Sequence, residues 1–193
     1  FIKQKERACE KIGVSFELFN FPIKIGAPEL KKEIKKIISN PVNSGVIIQL
    51  PLPAKFPSEE FLNLIPEEKD VDVLSKKSLE KFATGEPLIL PPTVVAISTL
   101  FKNYKVEIKG KNIVVIGAGR LVGKPLAAWL KLQGAKFSVL NESVKDISSQ
   151  TKEADILISG VGEPGLIKGD MVKEGAVVID FAKDVDFESV SKK

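Results

Sequence analysis

The feature that most constrains the fold is a glycine-rich turn between an apolar run and a helix-like segment. The run Asn112 to Ile116 leads directly into Gly117-Ala118-Gly119-Arg120-Leu121-Val122-Gly123, and a helical pattern from Leu121 to Gln133 and a second apolar run from Lys136 to Leu140 follow. This order predicts a βαβ unit. Glycines at such a turn let backbone amides approach a pyrophosphate at the positive end of a helix. The spacing, G-x-G-x-x-x-G, is one residue longer than the common dinucleotide fingerprint, so a tight turn without a ligand is the alternative.

The rest of the chain repeats this alternation of helices and apolar runs. Helices are predicted over 1–12, 28–40 and 58–64 and from the proline-rich segment 87–93 to Tyr104, and strands over 14–18, 45–50, 155–159 and 176–180. Alternation of this kind predicts parallel α/β sheets with ligands beyond the carboxyl ends of the strands. The three prolines of 87–93 indicate a linker. We therefore expect two α/β domains, 1–90 and 91–193, the second a Rossmann-like nucleotide-binding domain.

Composition excludes several classes of protein. The 193 residues are 44% hydrophobic and 28% charged, which is typical of a folded protein. The net charge of +4 is small and its lysines are interspersed with acids, so no nucleic-acid partner is expected. No apolar run is long enough for a membrane helix. Cys9 is the single cysteine, which predicts no disulfide, no metal cluster and a reducing cytoplasmic setting.

Histidine is absent from the sequence. The side chain that most often transfers protons near neutral pH is therefore missing, and acid-base chemistry falls to Lys, Asp, Glu, Tyr or water.

Glu142 lies about 20 residues beyond the glycines, just after the second strand of the βαβ unit. An acidic side chain there accepts hydrogen bonds from a ribose 2′-hydroxyl and repels a 2′-phosphate, which favours NAD over NADP. Asn141 or Ser143 could equally face the ribose, in which case Glu142 is a solvated surface residue.

Several motifs together resemble the bifunctional methylenetetrahydrofolate dehydrogenase and methenyltetrahydrofolate cyclohydrolase family, and the likeness spans nearly the whole chain. The most specific is Gln49-Leu50-Pro51-Leu52-Pro53 at the end of an apolar run, followed in order by Lys69-Asp70-Val71-Asp72 and the glycine turn. Val122-Gly123-Lys124-Pro125 and the run from Gly165 to Asp180 also match. The resemblance implies that the family's first strand and helix, and its C-terminal proline-glycine-glycine motif, lie outside the sequence from Phe1 to Lys193.

The resemblance implies the chemistry and the residues that carry it. Hydride would pass from methylenetetrahydrofolate to NAD or NADP, and water would then open the methenyl product to formyltetrahydrofolate. Lys5 would activate the water, Gln49 would hold Lys5, and Asp72 would bind the pterin. Phe1, Leu50 and Pro51 would contact the folate. The cofactor-binding residues would be Thr93, Gly117, Ala118, Gly119, Leu121, Val122, Glu142 and Gly162, and the family's homodimer through nucleotide-binding domains is expected as well.

The sequence departs from the family pattern at several of these positions. Phe1 replaces a tyrosine, which keeps stacking on the folate but loses a hydroxyl. Pro92 and Val73 replace a cysteine and a glycine near the cleft. Ala118 and Gly119 replace an arginine and a serine that serve the NADP 2′-phosphate. After Asp180 the family continues with a loop of about a dozen residues that this sequence lacks.

These departures leave alternatives to an active bifunctional enzyme. The altered Phe1, Pro92, Ala118 and Gly119 suit a single-activity or non-catalytic folate or nucleotide binder. An unrelated NAD-dependent Rossmann oxidoreductase would explain the glycine turn and Glu142, but not the run from Gln49 to Pro53.

Overall fold

The computed structural model describes residues 2–141, 143, 144 and 146–193. Helices lie at α1 (Ile2–Lys11), α2 (Ala27–Ser39), α3 (Ser58–Leu62), α4 (Lys76–Thr84), α5 (Pro92–Asn103), α6 (Gly123–Leu132), α7 (Ser148–Thr151) and α8 (Phe187–Val190). Strands lie at β1 (Asn112–Ile116), β2 (Lys136–Leu140), β3 (Ile156–Ser159) and β4 (Val177–Asp180). Short 3-10 turns cover Glu67–Lys69 and Gly169–Met171.

The strands form a parallel sheet in the order β2-β1-β3-β4. The chain leaves β1 through α6 to reach β2 on one side, and then crosses back to β3 on the other side. The strand order therefore reverses beside β1, and such a switch point is where open α/β sheets bind ligands. The glycine turn follows β1 and the segment from Gly160 follows β3, so both lie at this point.

Both faces of the sheet are buried, as expected for parallel strands covered by helices. Ile113 and Val115 of β1 point into one core, together with residues of α4, α5 and α6. Val114 and Ile116 point into a second core on the opposite face, which includes Ile167 and Val172. This alternation explains why β1 reads in the sequence as a continuous apolar run.

The strands predicted for the first part of the chain do not form. Residues 14–18 lie in no strand, and of 45–50 only Val46 makes an isolated parallel bridge, to Asp70. Ile47 is 39% exposed, so the expectation of a buried strand there is wrong. A strand exists only where a neighbouring segment supplies ladder hydrogen bonds, and Val46, whose amide donates to the Lys69 carbonyl at 2.8 Å, has one at a single position. A small core around Leu30, Ile34, Phe56 and Phe61 holds this part together.

Helix α4 has a capping residue at each end, and both caps can be read from the sequence. The Ser75 hydroxyl accepts a hydrogen bond from the Ser78 amide, and Gly85 ends the helix in the left-handed conformation, with φ 84°. Phe82 of α4 and the preceding Val73 pack into the same core as β1 and α6. The core that contains Ile113 and Val115 therefore extends across the proline-rich segment that the sequence suggests as a linker.

Within the described residues, no helix is long and apolar enough to span a membrane.

Candidate active site

The structure brings together two of the three predicted catalytic residues. Lys5 lies on α1 and Asp72 in the loop after the 3-10 turn, and the Lys5 Nζ is 3.6 Å from the Asp72 Oδ2. Their side chains are 24% and 25% exposed, so the pair is partly shielded from water but still accessible to a ligand. A lysine and a carboxylate in such a setting can each bind a polar substrate group or move a proton.

The loop that carries Asp72 is held by the two residues that begin its motif. Lys69 Nζ donates to the carbonyls of Ile38, at 2.6 Å, and Asn40, at 3.0 Å, where α2 ends. The side chain of Asp70, which is buried, accepts hydrogen bonds from the amides of Leu74 and Ser75. Lys69 and Asp70 therefore fix the loop on both sides of the position that Asp72 occupies.

The environment of Asp72 favours its protonated form. Burial raises the pKa of the Asp72 carboxyl above its ordinary value of 3.8, the positive charge of Lys5 opposes this, and the nearby Asp70 adds to it. Because burial is the largest of these effects, the carboxylate gains from a cationic or hydrogen-bond-donating ligand that compensates for lost water.

The residues of the Gln-Leu-Pro run lie at the surface beside this part of the molecule. Gln49 is exposed and its Nε2 donates to the Leu50 carbonyl at 2.8 Å. Leu50 is half-buried, Pro51 is exposed, and the peptide bond between them is cis. The hydrogen bond from Gln49 to Lys5 and the substrate contacts of Leu50 and Pro51 remain predictions. Phe1 lies outside the described residues.

The glycine turn is packed so closely that its first and last glycines admit no side chain. Gly117 has φ 95° and its amide donates to the Leu140 carbonyl at 2.7 Å. A Cβ on Gly123, the first residue of α6, would lie 1.9 Å from the Gly117 carbonyl oxygen. At Gly119, by contrast, no atom lies within 4 Å of the place a Cβ would take. The turn thus exposes backbone in front of the N-terminus of α6, which suits a dinucleotide pyrophosphate.

The segment after β3 packs directly against this turn. A Cβ on Gly117 would lie 3.0 Å from the Gly160 carbonyl oxygen, and one on Gly160 would lie 2.7 Å from Cγ1 of Val122. Gly162 follows, exposed and with φ 92°. The glycines after β1 and β3 therefore form one continuous surface at the switch point.

The other predicted cofactor residues surround the same turn. The Thr93 hydroxyl donates to the Leu121 carbonyl at 2.5 Å and so ties the start of α5 to the turn. Ala118 and Leu121 are exposed, Val122 is half-buried, and Glu142 lies outside the described residues. Their contacts with a cofactor remain predictions. Arg120, which sequence reasoning did not single out, forms an ion pair of 3.0 Å with Glu59 of α3.

Fold and site together define an α/β nucleotide-binding protein with a dinucleotide turn and a partly buried lysine-carboxylate pair. Comparison with known families gives a narrower assignment. The tetrahydrofolate dehydrogenase/cyclohydrolase catalytic domain matches residues 1–72, and the NAD(P)-binding domain of the same family matches residues 91–192. The chain belongs to the tetrahydrofolate dehydrogenase/cyclohydrolase family.

Individual relatives agree with this assignment. The chain is 38% identical to the bifunctional protein FolD of Nautilia profundicola, over all of this chain and 72% of that protein. Its structure is similar to that of the bifunctional methylenetetrahydrofolate dehydrogenase/cyclohydrolase from Campylobacter jejuni, with a TM-score of 0.94, 35% identity, and coverage of 100% of this chain and 72% of the other. A Trypanosoma brucei enzyme of this kind, solved with NADP and an inhibitor, has a TM-score of 0.91 at 28% identity, covering 98% and 70%.

Proposed function

We propose that this chain oxidises methylenetetrahydrofolate to methenyltetrahydrofolate with NAD or NADP and hydrolyses the product to formyltetrahydrofolate. The observation that carries the proposal is the partly buried Lys5–Asp72 pair, 3.6 Å apart, on the same chain as a dinucleotide turn. The lysine and carboxylate match the residues that the family resemblance assigns to folate chemistry. The non-catalytic alternative has no comparable observation in its favour.

The residues of the glycine turn fit a nicotinamide dinucleotide. Gly119 leaves open space beside the backbone, and α6 directs its N-terminal amides towards the turn. The bound nicotinamide supplies the acceptor for the hydride that leaves the folate methylene carbon. Gly117, Gly119 and Gly162 would hold the dinucleotide by their backbones, with Ala118, Leu121, Val122 and Thr93 around it.

The protein's own side chains act mainly on the folate. The Asp72 carboxylate accepts hydrogen bonds from the pterin amino group and ring nitrogen, which orients the one-carbon centre towards Lys5. In the hydrolysis, water adds to the methenyl carbon and gives up a proton. The C–N bond then opens as its nitrogen takes a proton. Lys5 Nζ binds the attacking water, and Gln49 holds Lys5 in place.

Further parts of the proposal concern organisation and cofactor choice. We place the folate site in a domain of residues 1–90 and the dinucleotide site in a domain of residues 91–193. Glu142 at the ribose, together with Ala118 and Gly119, favours NAD. The family resemblance supports a homodimer through the nucleotide-binding domains and a cytoplasmic location.

The test is a comparison of Lys5→Ala with Lys11→Ala, an exposed lysine on the same helix. Reduced cofactor and methenyltetrahydrofolate would be followed by absorbance, with NAD and NADP in turn. Wild type and Lys11→Ala should show both activities, and Lys5→Ala should lose roughly 10²–10⁴-fold of the cyclohydrolase rate. Saturable folate or nucleotide stabilisation without turnover in the wild type would refute the enzyme and favour a binding protein.

A further inference from the structure

Asp184 is a buried carboxylate to which sequence reasoning gave no role. It is fully buried, with 0% exposure, in the segment that follows β4. Its Oδ2 accepts hydrogen bonds from the Ser159 hydroxyl, at 2.6 Å, and the Val161 amide, at 2.8 Å. Its Oδ1 accepts from the amides of Gly162 and Glu163, each at 2.7 Å. A single carboxylate therefore binds the end of β3 and the next loop.

The placement of these donors gives the loop its shape. The amides of Val161, Gly162 and Glu163 are consecutive, and all point inward at one carboxylate. Gly162 is exposed, and apart from its chain neighbours no atom lies within 4 Å of the place its Cβ would take. The Asp184 carboxylate thus holds the loop from the protein interior, and Gly162 of the loop stays accessible to a ligand.

The backbone of Asp184 is itself held by hydrogen bonds, to Asp180 and to Ile167. The Asp180 Oδ1, at the end of β4, accepts hydrogen bonds from the amides of Ala182 and Asp184, and its Oδ2 accepts from Val185. The Ile167 amide donates to the Asp184 carbonyl at 3.0 Å. Asp180 therefore organises a tight turn that presents Asp184 to the β3 loop.

The segment after β3 also packs closely against the glycine turn. The Gly160 carbonyl oxygen lies 3.0 Å from the place where Gly117 would carry a Cβ, and a Cβ on Gly160 would lie 2.7 Å from Cγ1 of Val122. The two segments therefore leave no room for a methyl group between them, and a shift of the loop after β3 would move the glycine turn or open a gap beside it.

We propose that Asp184 is a positioning residue for the NAD(P) site, and that it sets the loop Val161–Gly162–Glu163 against the glycine turn in the arrangement that binds the dinucleotide. The inference rests on the proposed function, because it assumes that this surface receives the cofactor. Asp184 touches neither folate nor cofactor and acts only through the loop.

Replacement by asparagine is the sharpest change, because it keeps size and shape but converts one acceptor oxygen to a donor nitrogen. That nitrogen would face N–H or O–H donors, so two hydrogen bonds are lost and the loop has to rearrange. Cofactor affinity should fall. Hydrolysis of methenyltetrahydrofolate consumes no nicotinamide and depends on Lys5, so it should be retained.

The experiment compares Asp184→Asn with Asp155→Asn, a matched control at the opposite end of the sheet. The Asp155 carboxylate also accepts from a backbone amide, that of Asn112, at 2.8 Å, and from Lys173 Nζ at 2.6 Å, but it lies before β3. For each protein, calorimetry gives the dissociation constants of NAD and NADP, and hydrogen exchange gives the protection of residues 161–163. The rates of both reactions are measured alongside. Ser159→Ala, which removes one donor, replaces Asp184→Asn if that variant does not fold.

The expected result for Asp184→Asn is cofactor affinity weaker by about tenfold or more, with a loss of hydrogen-exchange protection that is greatest at residues 161–163 and an unchanged cyclohydrolase rate. The control should keep its cofactor affinity. Unchanged affinity in a folded Asp184→Asn, or an equal loss in the control, would overturn the inference. A wild type that binds NAD or NADP without dehydrogenase activity would refute the proposed function instead, and the binding and exchange measurements would still decide the role of Asp184.

Discussion

The Asp72 Oδ2 lies 3.6 Å from the Nζ of Lys5, although the two residues come from distant segments of the chain. Neither is deeply buried, and an ion pair of this exposure contributes little to stability. The loop of Asp72 is nevertheless fixed by the buried Asp70 and by Lys69. The Lys5–Asp72 pair is therefore held in place by its surroundings although it stabilises the fold little. This combination is characteristic of a binding site.

Asp72→Asn should weaken folate binding and lower kcat/KM for both reactions, by roughly 10–100-fold, because charge-assisted hydrogen bonds to the pterin become neutral ones. Steady-state kinetics with methylene- and methenyltetrahydrofolate would measure this. Glu68→Gln, which changes an exposed carboxylate in the preceding 3-10 turn, is the control and should leave both values unchanged. Loss of only one of the two activities would contradict a shared folate-binding role.

The raised pKa of Asp72 predicts how kcat/KM for the folate substrates depends on pH. Burial raises that pKa above 3.8 despite Lys5, so protonation and loss of the carboxylate begin at a higher pH than for a free aspartate. As pH falls through the raised pKa, kcat/KM for folate should decline. The Asp72→Asn variant should lack this acid limb, and a limb that persists in it would assign the titration to another group.

The glycine turn offers a prediction that separates folding from binding. Gly123→Ala places a Cβ 1.9 Å from the Gly117 carbonyl oxygen, so we expect a destabilisation of about 1–3 kcal/mol or more. Gly119→Ala meets nothing within 4 Å and should leave the melting temperature nearly unchanged. It should still weaken cofactor binding, because the added methyl occupies the space that the dinucleotide approaches. Equal melting temperatures for the two variants would contradict the packing of the turn.

The nucleotide-binding half of the fold could be predicted from the sequence because its signals are local. The apolar runs of β1 and β2 have the bounds expected, and the glycines between them mark the turn. The strands expected at 14–18 and 45–50 failed because a ladder depends on a neighbouring segment, which alternation of side chains does not reveal. The Ser75 and Gly85 caps could have revealed α4.

The site was only partly predictable for the same reason. Resemblance to a family suggested Lys5 and Asp72, and the structure places them together. The hydrogen bonds of Asp184 to residues more than twenty positions earlier, like the Arg120–Glu59 pair, are long-range contacts with no periodic or motif signal.

Asp184 should also shape the acid stability of the fold. Burial opposes its ionisation, but hydrogen bonds from Ser159 and the Val161, Glu163 and Gly162 amides outweigh this and lower its pKa below 3.8. Its stabilisation is therefore present above pH 3.8 and is lost as pH falls through the lowered pKa. Asp184→Asn should lower the free energy of unfolding by about 1–3 kcal/mol at pH 7, with the difference shrinking in strong acid. Urea unfolding across this range would measure it, and a pH-independent difference would contradict the argument.

The last prediction concerns Arg120, a residue of the glycine turn whose guanidinium pairs with Glu59 of α3 at 3.0 Å. The Glu59 side chain is 78% exposed, so the pair contributes under about 1 kcal/mol, and Glu59→Gln should barely change the melting temperature. Removing that carboxylate leaves the positive charge of Arg120 unopposed beside the predicted pyrophosphate site. Cofactor affinity should rise by about two- to fivefold at low salt, and the gain should shrink as added salt screens the charge. Calorimetric titrations at two salt concentrations would measure it, with Glu60→Gln on the same helix as control. A gain independent of salt, or one equal in the control, would exclude an electrostatic role for this pair.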